Sequence, residues 1–145
     1  MKKIIIVLIL CLLFACSIFV KPTEFSLTNY FDCGVLHIYT NRPVNETSIQ
    51  LSNIYMSTSS HGASKSDIIG ESLYFNNLEI SSAINTLKAK VKFTEYIEEQ
   101  RLTVIYAYSS LIPTHKIVDN IKINLQISTC SEYSVIGWPV IYGSF

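Results

Sequence analysis

The sequence contains few charged residues and no excess of either sign. Charged side chains make up 15% of the chain and hydrophobic ones 49%, which is typical of a protein that buries a core rather than of a disordered one. The densest basic run, residues 88–92, is followed closely by Glu95, Glu98 and Glu99. A nucleic-acid binder needs a basic surface that neutralises phosphates, so we expect no DNA or RNA binding.

Histidine, glycine and cysteine are also scarce. No two of the three histidines stand at metal-ligand spacing, and the five glycines form no phosphate-binding loop. The residue types of Cys130, His115 and Asp119 suit acyl transfer, but no catalytic signature surrounds them. We therefore predict no catalytic residue, no metal and no cofactor.

Beyond residue 21, the only cysteines are Cys33 and Cys130. Two cysteines are too few for a disulfide framework. Outside the cytoplasm, two thiols at strand ends can form one bridge or stay free, and both alternatives remain open at this point.

One long apolar run lies at the amino terminus. Residues 4–20 carry no charge, follow Lys2 and Lys3, and end before Lys21 and Pro22. This charge order places Met1 in the cytoplasm and the rest of the chain outside. Residues 1–21 are therefore predicted to be a signal peptide or membrane anchor, and residues 22–145 a single domain.

We consider three alternatives for this segment: a retained membrane helix, a cleaved signal peptide and a lipid-modified amino terminus. A retained helix of seventeen apolar residues would measure roughly 25 Å, the short limit for a membrane span. Ala15 and Ser17 offer the small residues of a signal-peptidase site, and Cys16 is a candidate lipidation site. We favour a membrane-anchored protein on the extracytoplasmic face, with a lipoprotein or a secreted protein as alternatives.

The remaining pattern predicts an α+β domain. One apolar stripe at helical spacing consists of Ile80, Ala83, Ile84, Leu87 and Val91. Asn77 is the expected helix cap, and Lys88 and Lys90 are expected in the last turn. The stretches GVLHIYTN, SIQLSNIYM, FTEYIEE and RLTVIYAYS are each predicted to form one strand.

The stretch IKINLQIS alternates without a break. We expect its apolar members to face the core and its polar members to face water: Ile121, Ile123, Leu125 and Ile127 inward, and Lys122, Asn124, Gln126 and Ser128 outward. Pro139, which cannot donate to a sheet, predicts a sheet edge or a bulge. Together the elements predict an antiparallel sheet backed by one main helix.

After the helix, LTVIYAYSS, NIKINLQIS and GWPVIYGSF follow one another. This order resembles the YwmB family of sporulating Firmicutes over residues 78–145, about half of the chain. The matching residues are Ala107, Tyr108 and Ser109, then Asn124, Leu125 and Gln126, then Gly137, Pro139 and Ile141. The resemblance implies a fold similar to the TATA-box-binding protein, a setting in sporulation or the cell envelope, and no known activity.

The first half of the domain departs from that family, because it is short and has no stretch of helical period. It is therefore expected to supply extra strands or a reduced repeat, or to be completed by a second copy in a homodimer. The leading functional hypothesis is a non-enzymatic module that binds a protein of the envelope through a sheet face or edge. The alternative is a hydrolase acting on envelope material. Tyr106, Tyr108 and Trp138 are the candidate binding-face aromatics.

Overall fold

One α-helix and ten strands are present in the computed structural model, which describes residues 25–58 and 63–141. The helix, α1, comprises Ile80–Thr86. The strands are β1 (Val35–Thr40), β2 (Ile49–Leu51), β3 (Ile54–Ser57), β4 (Ile68–Phe75), β5 (Lys90–Ile97), β6 (Leu102–Tyr108), β7 (Lys116–Val118), β8 (Ile121–Ile123), β9 (Leu125–Thr129) and β10 (Ser134–Trp138). Short 3-10 helices comprise Leu27–Asn29, Lys65–Asp67 and Glu98–Gln100.

Eight of these strands form one antiparallel sheet in the order β2-β3-β1-β4-β10-β9-β6-β5. Strands β7 and β8 form a separate hairpin. Strands β2 and β5 are the outermost strands of the large sheet. The prediction of an α+β domain with an antiparallel sheet and one main helix is thus confirmed at this level.

Helix α1 packs on one face of the sheet, which we call the helix face. Ala83 and Leu87 are buried there against apolar side chains of β4, β9 and β10: Leu73, Phe75, Leu125, Ile127, Ile136 and Trp138. On β6, Ala107 and the partly buried Ile105 belong to this face, whereas Val104 points to the other one. The periodic stripe therefore identifies the buried side of the helix correctly as far as Leu87.

The helix ends earlier than predicted. The Ala89 amide donates to the Ile84 carbonyl oxygen at 2.9 Å, and Lys88 has a φ of 49°. A left-handed residue commonly ends a helix in this way. Strand β5 then begins at Lys90. The prediction that Lys90 and Val91 belong to the helix was wrong. The N-cap position is Glu79, not Asn77.

Two other stretches differ from their predicted form. SIQLSNIYM is not one strand but the hairpin of β2 and β3, which turns at Ser52 with a φ of 57°. Pro139 does not mark a sheet edge, because β10 lies between β4 and β9 and ends at Trp138.

The polar side of β9 is buried, contrary to the expectation that it faces water. Asn124 and Ser128 have no exposed surface, and Gln126 is 6% exposed. The Asn124 side chain accepts a hydrogen bond from the Ser109 amide and donates to the carbonyl oxygens of Ser109 and Ile112, at 2.7–3.0 Å. Gln126 Oε1 accepts from the Ile141 amide at 3.1 Å. These bonds offset the cost of removing the amides from water.

Residues 139–141 fold back over that second face of the sheet. A Cβ atom added to Gly137 would lie 2.6 Å from Ile141 Cγ1, so the absence of a side chain at Gly137 is what lets Ile141 approach. Both faces of the central strands are therefore covered, and exposed surface on the sheet is concentrated towards its ends.

A buried carboxylate attaches residues 25–30 to the helix face. Glu71, on β4, is 5% exposed and accepts hydrogen bonds from the Leu27 amide (2.8 Å), Trp138 Nε1 (3.1 Å) and Ser26 Oγ (3.0 Å). Charge-assisted bonds of this kind are stronger than neutral ones. Glu71 therefore joins the start of the described chain to two central strands.

Candidate functional site

Strand β5 is the most exposed long element of the described chain. It has eight residues, six of which are exposed, and it pairs only with β6 in the sheet order. The opposite outer strand, β2, has three residues. Short outer strands are one way in which proteins limit pairing with other chains, and β5 does not use it.

On the helix face, two large apolar side chains of β5 lie in solvent. Val91 faces Ala107 of β6 and is 47% exposed, and Tyr96 faces Thr103 and is 63% exposed. The cluster of apolar side chains around α1 has members from β4, β6, β9 and β10 but none from β5. Apolar side chains at the rim of a sheet are the usual contacts of an added strand.

On the opposite face, an aromatic pair joins β5 to β6. The rings of Phe93 and Tyr106 are stacked with centroids 4.3 Å apart and an interplanar angle of 21°. Tyr106 donates a hydrogen bond to Glu95 Oε2 at 3.2 Å. Burial, with Glu95 as a further cause, raises the pKa of Tyr106, so this hydroxyl keeps its proton and remains a donor. Beside the pair, Lys122 Nζ lies 5.2 Å from the centroid of the Tyr108 ring.

Charge is distributed unevenly along residues 88–99, which we call the β5 edge. Its beginning carries three lysines and its end three glutamates, all of them exposed: Lys88, Lys90, Lys92, Glu95, Glu98 and Glu99. A register shift between Val91 and Phe93 leaves Lys92 without a facing residue on β6. The stretch from Phe93 to Ile97 is paired regularly.

The structure brings only two of the three candidate aromatics together. Tyr106 and Tyr108 lie on the face opposite α1, next to β5, and both are half-buried. Trp138 lies on the helix face, is 6% exposed and donates to Glu71, so it is a core residue. A shared binding face for all three was therefore not found.

The two candidate disulfide partners are free thiols, Cys33 exposed and Cys130 partly buried. They lie beside β1 and β9, with β4 and β10 between those strands. At ~4.8 Å between neighbours, β1 and β9 are about 14 Å apart. A disulfide needs Cα atoms within ~7 Å, and in this structure the two thiols are not bridged. The candidate lipidation residue, Cys16, lies outside the described residues.

The possible acyl-transfer residues are not assembled. Asp119 is in the turn of the β7–β8 hairpin, which precedes β9, whereas Cys130 follows β9 at its far end. His115 is exposed in the connection after β6. Within residues 25–58 and 63–141, no group of three or more His, Cys, Asp or Glu side chains is arranged to hold a metal ion.

Two buried polar atoms lack a hydrogen-bond partner within the described chain: His37 Nδ1 and Ser128 Oγ. His37, on β1, has its ring 4.5 Å from that of Tyr74, and burial lowers its pKa. Nearby, burial raises the pKa of Tyr39 to about 12, and its hydroxyl is 2.9 Å from Ser72 Oγ. His37 and Tyr39 lie on β1, whereas Ser128 lies on β9, with β4 and β10 between those two strands.

The sequence did not indicate that β5 is an outer strand. Its charged residues were interpreted as the solvated face of a hairpin. The pattern did not show that β5 has a neighbouring strand on one side only. The signal that was present is the concentration of lysines before Phe93 and glutamates after it.

Comparison with known proteins adds no identity: the chain matches no family model, no curated protein and no solved structure. Across residues 25–58 and 63–141, none of the helices combines the length and apolar character needed to cross a bilayer.

Proposed function

We propose that this protein is a non-enzymatic interaction module held on the extracytoplasmic face of the membrane, and that it binds a protein of the cell envelope by strand addition at the β5 edge. One observation carries the proposal. The sheet has an outer strand of eight residues whose side chains are largely exposed on both faces, while the opposite outer strand has only three residues.

An outer strand has backbone groups on its free side that another extended chain can pair with. Such pairing supplies affinity through main-chain hydrogen bonds, and alternate side chains supply specificity. On β5, Phe93 and Glu95 would contact side chains on one face of the added strand, and Thr94 and Tyr96 would contact those on the other face. Aromatic side chains are the commonest strong contacts at protein interfaces.

We further propose an arrangement similar to the TATA-box-binding protein for the second half of the chain. Helix α1 and the four strands β5, β6, β9 and β10, which are adjacent in the sheet, support this. Before α1, the described residues contain four strands and short 3-10 helices but no α-helix. That portion is the reduced repeat of this proposal.

Site-specific photo-crosslinking in cells tests the binding site. A photoreactive phenylalanine analogue replaces Tyr96 in the full chain, and a matched protein carries it at Glu132, an exposed loop residue between β9 and β10. We expect a protein adduct from position 96 and none from position 132. Equal yields from the two positions, or no adduct from position 96, would contradict strand addition at β5.

Protease accessibility tests the location. Protease added to intact protoplasts should digest the domain, with a cytoplasmic protein as the internal control. Survival of the domain in intact cells and digestion only after lysis would show that the domain faces the cytoplasm.

A further inference from the structure

The β5 edge is complementary to itself in charge. Its beginning is basic and its end acidic, with three like charges in each part. We propose that the partner of this edge is a second copy of the chain, and that the two β5 strands pair antiparallel about a two-fold axis perpendicular to the sheet. This inference rests on the proposed function, because it names the occupant of the same edge.

Antiparallel pairing places the beginning of one strand beside the end of the other. The basic beginning of each copy therefore lies beside the acidic end of its partner, and the two-fold axis repeats the contact at both ends. A parallel arrangement would instead put lysines beside lysines and glutamates beside glutamates, which is unfavourable. The charge distribution thus selects one orientation.

The register follows from the alternation of faces. Residues that face each other across two strands lie on the same side of a sheet. With Thr94 opposite Thr94 of the second copy, Phe93 faces Glu95 and Lys92 faces Tyr96 across the axis. If the register moved so that Glu95 faced Glu95 of the second copy, two carboxylates would lie opposite each other. Of these two registers, the one centred on Thr94 keeps the carboxylates apart, and we place the axis there.

Pairing in this register also covers apolar surface. Val91 and Tyr96 lie on the helix face, and a perpendicular two-fold axis keeps that face common to both copies. Val91 of one copy then lies next to Tyr96 of the other, so the four exposed apolar side chains form two pairs, one on each side of the axis. The two eight-stranded sheets become one continuous sheet.

Lysines and a register shift on an outer strand usually hinder pairing. Here they hinder pairing with most strands, but less so with a strand whose end carries carboxylates, as the end of a second β5 edge does. This makes them a source of selectivity. An interface made by one pair of strands is small, so we expect an affinity of about micromolar or weaker. We also expect it to weaken as salt screens the charges.

Charge reversal with mixing tests the dimer. One variant of the full chain carries Lys90→Glu and Lys92→Glu, and another carries Glu95→Lys and Glu98→Lys. Sedimentation velocity in detergent at low salt measures the association of each alone and of an equimolar mixture. Lys116→Glu and Glu132→Lys, both at exposed positions outside β5, are the controls. The fluorescence of Trp138 reports that each variant is folded.

We expect the native chain and the controls to dimerise, and each reversed variant alone to dissociate about tenfold more readily or more. The mixture of the two variants should dimerise again, because an acidic edge then meets a basic one. A monomeric native chain, or reversed variants that associate as the native chain does, would overturn the inference.

Photo-crosslinking from position 96 separates this inference from the proposed function. An adduct of two copies, linked to residues 91–93 of the second copy, supports both. An adduct with a different protein overturns the homodimer and leaves strand addition at β5 standing. The absence of any adduct contradicts both.

Discussion

Replacing Glu71 should destabilise the domain strongly, because this carboxylate joins the first described segment to two central strands. In Glu71→Ala, the buried Leu27 amide and Trp138 Nε1 lose their acceptor. Each buried donor left unsatisfied costs about 1–3 kcal/mol. Removing a buried charge offsets part of this loss. We expect a net loss of about 3 kcal/mol in the free energy of unfolding, a change of about a hundredfold in the folding equilibrium.

Urea unfolding monitored by tryptophan fluorescence measures this loss directly, because Trp138 is the only tryptophan and lies at the site. Glu71→Gln should fall between the native chain and Glu71→Ala, since its amide oxygen still accepts while its NH₂ group faces donors. Glu132→Gln, at an exposed position, is the control. A loss of less than about 0.5 kcal/mol in Glu71→Ala would refute the role assigned to the carboxylate, since surface changes have effects of that size.

Three further predictions concern the rest of the fold. Burial lowers the pKa of His37, so the unfolded chain takes up a proton near pH 6.5 and the folded chain only at a lower pH. Stability measured by urea unfolding should therefore fall as pH decreases from 7 to 5, and it should fall less in His37→Phe. An equal fall in both proteins would contradict this. Gly137→Ala should destabilise the protein by about 1–3 kcal/mol, because the added methyl group displaces Ile141. The loss should be smaller when Ile141 is also replaced by alanine. Strict additivity of the two substitutions in a double-mutant cycle would show that the contact is absent. Alkylation without reductant, followed by peptide mass spectrometry, should label both Cys33 and Cys130, with Cys33 faster. A peptide pair linked by a disulfide would contradict the assignment of both residues as free thiols.

Local pattern was a good guide to the helix and to most strands, because apolar spacing records which side of an element is buried. It failed at the end of α1, where Val91 continues the helical spacing although it lies in β5. The left-handed residue that ends the helix is Lys88 and not a glycine, so the residue type that most often marks a helix end is absent.

The position of each strand in the sheet could not be predicted, because strand order depends on contacts between distant residues. The alternation in β9 indicated one face in water, yet β9 lies between β10 and β6 and both of its faces are covered. Glu71 bonds to residues 44 and 67 positions away along the chain, which no local pattern reports. For the same reason, the outer position of β5, on which the candidate site depends, emerged only from the fold.

Amide hydrogen exchange at β5 in native membranes tests the central claim most directly. An outer strand without a partner has backbone amides open to water on its free side, and these exchange rapidly. If a strand is added at the β5 edge, peptides covering Phe93 to Ile97 should exchange as slowly as those of β9, and should become fast when the Lys90→Glu, Lys92→Glu variant replaces the native chain. Rapid exchange in the native protein, unchanged in the variant, would show that the edge is unoccupied and would contradict the account.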